Sequence, residues 1–174
     1  FGIAVGLLAM VAFIATRRLL GGRPGPTPSR SEPRTSTRAH KRTSARYPGD
    51  YKGRVTFEYS PSPDGDPDPG EIVWTWVPYE EDHSQGKDRP VLLIGRDGEW
   101  LLGLQLTSKD HDRDAKDEAR YGRRWLDIGS GPWDRKGRPS EVRLDRIVRV
   151  DPSAVRREGA IVDRKLFKTV TDSL

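Results

Sequence analysis

VLLIGRDGEWLLGLQL, residues 91–106, decides how this chain folds. Val91 to Ile94 is a continuous apolar run short enough for a buried strand. Asp97-Gly98 is a hairpin signal, and Trp100 to Leu106 returns as a second apolar strand. Upstream, Glu71-Ile72-Val73-Trp74-Thr75-Trp76-Val77 is rich in β-branched and aromatic residues and stops at Pro78. Arg54 to Tyr59 alternates too, but Pro61, Pro63, Pro67 and Pro69 follow, which makes it an edge strand at most. Downstream, Trp125 to Ile128 is a further strand, and residues 142–150 form two strands split by a bend near Asp145. After Asp151-Pro152 the period lengthens. Val162, Leu166, Val170 and Leu174 recur every four residues with Phe167 beside them, the apolar face of a C-terminal helix. Asp163 falls in its first turn and Lys168 deeper in, both favourable for the helix dipole. Five or six short strands and a terminal helix make the folded part mainly β, a strongly bent sheet or small barrel.

The 174 residues carry 31 Lys+Arg against 26 Asp+Glu, a net charge of +5 and a pI near 9.6. That charge is unevenly spread. Residues 1–50 hold nine basic and two acidic residues, a balance of +7, whereas residues 51–174 come to −2. The high pI therefore gives no ground for nucleic-acid binding by the folded part. The chain has no cysteine, which excludes a thiol nucleophile, a disulfide scaffold and a Cys-ligated zinc site. Its three histidines, His40, His83 and His111, are scattered, so neither a metal site nor a cofactor is expected. The acidic stretches at Asp64 and Asp110 fail as calcium loops. Pro69 and Ala115 stand where glycine is needed, and Thr75 and Tyr121 where glutamate is needed. No G-x-G-x-x-G, P-loop or G-x-S-x-G pattern occurs.

Phe1 to Thr16 is uncharged and would span about 24 Å as a helix, a little short of the ~30 Å hydrocarbon core. Arg17 and Arg18 come after the apolar run, the reverse of a signal peptide, and no A-x-A-like site precedes them. Residues 1–20 are therefore expected to form a transmembrane helix that lacks a few N-terminal residues. Residues 21–50 contain no Val, Ile, Leu, Met, Phe or Trp, and read as a disordered, basic linker. Basic residues beside a span are retained on the cytoplasmic side and attract anionic lipid. A single-pass membrane protein with residues 51–174 in the cytoplasm is the expected arrangement.

An acidic loop, Glu80 to Pro90, separates the first two strong strands and carries Arg89 at its end. An arginine at a strand entrance offers a rigid fork of donors suited to phosphate. Equally, it can pair with Asp88 or another nearby acid.

Gly70-Glu71-Ile72-Val73-Trp74, followed by Gln85-Gly86-Lys87-Asp88-Arg89-Pro90-Val91-Leu92-Leu93-Ile94, resembles the opening of the MazF/PemK-like toxins of type II toxin–antitoxin systems. Leu106-Thr107-Ser108 is similar to the end of that family's third strand. Residues 142–150 are similar to its last strands, with Asp145-Arg146-Ile147 in place of a recurring acid-or-amide, basic, apolar step. The resemblance covers about residues 68–174. It implies a small SH3-like barrel with a C-terminal helix, here joined to a bacterial cytoplasmic membrane. It also implies a metal-independent endoribonuclease acting on single-stranded RNA. The substrate's 2′-hydroxyl would attack the adjacent phosphate, leaving a 2′,3′-cyclic phosphate and a 5′-hydroxyl. Arg89 matches the family's catalytic arginine, which stabilises charge on the phosphorane. Thr107 matches the threonine that hydrogen-bonds the reacting phosphate. Gln85 and Gly86 fall in the mobile loop that borders the RNA groove, and with Lys87 and Ser108 they are the expected substrate-binding residues. Single-stranded RNA, a cognate antitoxin protein and a second copy in a homodimer, with the groove spanning both subunits, are the implied partners. No general base is implied; His83 has the right chemistry but reads as a solvated loop histidine. Residues 51–88 come to −6, which opposes RNA, whereas residues 89–174 come to +4 and can supply a groove. Two other readings stay open, a non-catalytic protein-interaction module on the same barrel and an inhibitor of DNA gyrase.

Overall fold

The alternation in residues 71–78 becomes a strand with two buried faces, because side chains on either side of the sheet each find a cover. The computed structural model describes residues 47–111 and 115–174. The expected transmembrane helix, and the expected linker as far as residue 46, lie outside the described residues. Among those described, no helix is long and apolar enough to cross a membrane.

Strands β1 (Glu71–Pro78), β2 (Gly86–Asp97) and β3 (Trp100–Thr107) form an antiparallel meander. Asp97 faces Trp100, so Gly98 and Glu99 make a two-residue turn, and Gly98 takes the positive φ of 61° that such turns require. After helix α1 (Ala115–Arg120) come β4 (Trp125–Gly129), β5 (Ser140–Arg143), β6 (Val148–Val150), β7 (Arg157–Ile161) and helix α2 (Arg164–Thr171). The strands make one seven-stranded sheet in the order β4-β5-β3-β2-β1-β7, with β6 also paired to β3. Two short strands thus share the outer edge of β3. β5 takes Leu106 and Thr107, while β6 takes Leu101 to Gly103. The bend expected near Asp145 is the corner between them, and it curls the sheet.

The curl gives each face its own core. On one face Ile72, Leu92, Leu104, Leu106 and Val142 pack beneath Phe167 and Val170 of α2. The other face carries a smaller apolar cluster, in which Val73, Val77, Val91 and Leu93 pack with Val148 and Val150 of β6. Truncating a fully buried leucine such as Leu92 or Leu104 in cores of this kind costs roughly 2–5 kcal/mol. Asp163 caps α2 by accepting a hydrogen bond from the Leu166 amide at 2.8 Å, one position ahead of the expected first-turn placement.

Several expectations are corrected. Among the described residues there are seven strands, the unexpected one being β7: Gly159 interrupts its apolar pattern, and a Cβ there would lie 2.7 Å from the Ile72 carbonyl oxygen. The edge strand at 54–59 does not form; only its Glu58 amide bonds to Ile94 O, at 3.1 Å. The acidic loop is shorter than expected, because Gly86 to Pro90 already belong to β2 and pair with β1. The linker does not run to residue 50. Tyr47 donates to Asp50 at 2.5 Å, Asp50 binds Arg146, and Arg149 donates to Gly49 O at 2.8 Å. Tyr51 pairs with Ile147, and Tyr59 stacks edge-on against Phe167 with centroids 5.1 Å apart. Residues 47–59 therefore form a strap across the sheet.

Candidate functional site

The face left bare by β6 carries a row of polar side chains. Thr75 of β1 lies opposite Arg89 of β2, Thr107 of β3 lies opposite Glu141 of β5, and Glu141 lies opposite Asp127 of β4. The β2–β3 register, last recorded at Val91–Gln105, runs on toward an Arg89–Thr107 pair. No pair is recorded there, and Pro90 has no N–H to offer the ladder. A cleft of about 330 Å³ lies over this part of the face. Arg89, Gln105, Thr107, His111, Arg143 and Arg146 are among its lining residues. Arg89 and Thr107 also border an adjoining hollow of about 170 Å³, which Ser108, Trp133 and Arg138 line as well. The pair thus stands between two depressions.

Arg89 is half-buried, and among the described residues none gives its guanidinium a hydrogen bond or ion pair. The alternative pairing with Asp88 fails for a geometric reason. The two are neighbours on a strand and point to opposite faces, and Asp88 is bound by Arg156. Two acids of the preceding turn are likewise engaged. Glu80 binds Arg143 at 2.5 Å and lies 3.7 Å from Arg146, while Asp82 accepts hydrogen bonds from Ser84 and Gln85. The Thr107 hydroxyl accepts from the Lys109 amide at 3.1 Å, which leaves its own proton free to donate.

Two further arginines are fixed in the cleft wall. Arg143, 7% exposed, is held by Asp145 through its Nε and Nη2, at 3.1 and 2.7 Å, and by Glu80. Burial pushes the Asp145 carboxyl up, but the Arg143 guanidinium and the Arg124 amide outweigh it and hold it below the usual carboxylate range. Arg146, 6% exposed, binds Asp50 at 2.8 Å and the Pro78 carbonyl at 2.8 Å. Asp50 is also held low: burial acts upward, and the hydrogen bonds from Arg146 and Tyr47 overcome it.

The other expected site residues do not converge on this cleft. Gln85 is in a turn and bound to Asp82 at 2.7 Å, and Lys87 lies 6.0 Å from the Tyr79 ring centroid. Gly86 is a strand residue packed so closely that a Cβ would meet the Val77 carbonyl oxygen at 2.3 Å, so its glycine answers to backbone approach. Ser108 lines only the smaller hollow. His83 packs edge-on against Tyr47, with centroids 5.0 Å apart. Sequence reasoning missed His111, Glu141, Arg143 and Trp125. The only signal for them was the alternation in Glu141-Val142-Arg143, which puts both charged residues on the face opposite buried Val142.

No curated protein matches the chain in sequence. Among solved structures it is similar to the crystal structure of MazE-MazF (form II) from Deinococcus radiodurans, at 19% identity and a TM-score of 0.44, over 64% of this chain and 94% of that one. Residues 68–174 match the family model of the PemK-like, MazF-like toxins of type II toxin–antitoxin systems. That match spans β1 to α2, including Arg89, Thr107 and every other strand residue of the cleft, and the chain belongs to this family.

Proposed function

We propose that this protein is a metal-independent endoribonuclease, which cuts single-stranded RNA by attack of a 2′-hydroxyl on the adjacent phosphate. The observation that carries the reading is the Arg89 guanidinium, unmatched by any described acid and lining the same open cleft as Thr107. A pentavalent phosphorane holds one more negative charge than the phosphodiester. A positioned guanidinium in a partly water-excluded cleft binds that extra charge more tightly than the ground state. The Thr107 hydroxyl donates to a non-bridging oxygen and fixes the phosphate against the arginine. The paired hollows leave room for a nucleotide on each side of the scissile phosphate. An SH3-like barrel, a homodimer and an antitoxin that covers the cleft belong to the same proposal. So does a membrane anchor at residues 1–20 with the catalytic domain in the cytoplasm. Family membership supports the toxin, and the uncharged run followed by Arg17 and Arg18 supports the anchor.

The test is incubation of the purified full-length chain with single-stranded RNA in excess chelator. Products ending in 2′,3′-cyclic phosphate, reduced at least 100-fold in Arg89→Ala with the fold intact, are expected. Intact RNA across varied sequences refutes the enzyme and favours the protein-interaction module.

A further inference from the structure

The cleft contains one imidazole, His111, that nothing above employs. His111 follows β3 by four residues and is buried together with Glu141, their side chains 9% and 8% exposed. One Glu141 oxygen lies 2.6 Å from His111 Nδ1, and the other accepts the His111 backbone amide at 2.9 Å. An ionised carboxylate can only accept, so Nδ1 is the nitrogen that carries the proton in the neutral ring, and Nε2 is then the one with a lone pair. The ring lies flat on Trp125, with centroids 4.0 Å apart and planes 5° from parallel, which fixes the plane in which that lone pair points. Glu141 is the cross-strand partner of Thr107, so the imidazole is tied to the residue beside the one proposed to hold the phosphate. His111 and Thr107 line the same 330 Å³ cleft.

We infer that His111 is the proton acceptor for the attacking 2′-hydroxyl and that Glu141 is its positioning residue; the inference rests on the ribonuclease reading above. As the O2′–P bond forms, the 2′-hydroxyl proton passes to His111 Nε2. As the P–O5′ bond breaks, the 5′ oxygen takes a proton from solvent water, and the resulting hydroxide is neutralised by the imidazolium. No water is consumed overall, and the products are a cyclic phosphate and a 5′-hydroxyl. The charged groups that border the ring's hollows, apart from Glu141 itself, are Glu80, Glu81, Arg89, Lys109, Glu118, Arg123, Asp127, Arg143 and Arg146. A pair that merely pinned the segment after β3 would not need a place on the phosphate cleft.

The experiment compares full-length wild type, His111→Asn, Glu141→Gln and Arg89→Ala on one single-stranded RNA across pH 5–9. Asparagine keeps a donor at the Nδ1 position and removes the base. The expected result for His111→Asn is a kcat lowered 10²–10⁴-fold with KM within threefold, and loss of the acidic limb of the pH–rate profile. Glu141→Gln is expected to lower kcat less and to displace that limb. If His111→Asn fails to fold, the Glu141→Gln profile decides. A limb unchanged there, or a His111→Asn kcat within threefold of wild type, overturns the assignment while leaving the ribonuclease standing. An inactive wild type overturns both, and loss of activity in Arg89→Ala alone retains the reading without the base.

Discussion

Arg156 reaches across β1 to bind Asp88, and the next residue of β2, Arg89, points to the opposite face with no described acid against it. The acid next to the arginine in sequence is thereby held on the other face of the strand. Arg156→Ala is expected to cost no more than about 1 kcal/mol of stability, as both partners are partly exposed. It should nevertheless raise KM for RNA about threefold with kcat unchanged, because Asp88, which borders the smaller hollow, then loses the Arg156 counter-charge. Steady-state kinetics at 50 and 200 mM salt would show the difference shrinking as salt rises.

Asp50→Ala leaves the buried Arg146 guanidinium short of its carboxylate. Breaking a buried pair from one side costs about 3–5 kcal/mol; here about 2 is expected, since Glu80 and the Pro78 carbonyl remain. Urea unfolding at pH 7 measures it. A variant as stable as wild type would show that the strap contributes nothing to the fold.

Acid should destabilise the domain in a defined window. Asp50 and Asp145 have folded-state pKa values below the ordinary 3.8. Their stabilisation is therefore complete above that value and is lost as pH falls through it toward the folded-state values. Asp134, held at about 2 by Arg138, extends the same trend lower, although it lies in a solvated turn. Urea midpoints should be flat between pH 5 and 7 and should fall below pH 4. In Asp145→Asn, part of that fall should disappear.

Gly86→Ala separates a packing role from a binding role at one of the expected substrate residues. The added methyl meets Val77 O at 2.3 Å and Pro78 Cα at 2.9 Å, both backbone atoms. A loss of about 1–3 kcal/mol is expected, read as a lowered Tm. RNA affinity of the folded fraction should stay at the wild-type value.

The strands legible in the sequence were those with a buried face at both ends. Glu71 to Val77 and the Val91–Leu106 hairpin announced themselves because apolar residues there meet either α2 or β6. β7 stayed hidden because its pairing with β1 depends on Gly159 letting backbones approach, and glycine carries no pattern. Arg89 and Thr107 were legible through family likeness, and their placement on one cleft depended on a register that only the folded sheet displays. His111 could not be found by spacing. Its partner Glu141 is thirty residues away, and the two meet only because β5 pairs with the end of β3.

The strap gives the chain a mechanical order. Residues 47–50 are fastened to Arg146 and Arg149, and Arg146 is part of the cleft wall. Tension applied from the N-terminal side would thus reach the Gly49–Arg149 and Asp50–Arg146 contacts before the Tyr51–Ile147 bridge. Whatever restrains the chain upstream is joined in series with the wall that faces the phosphate.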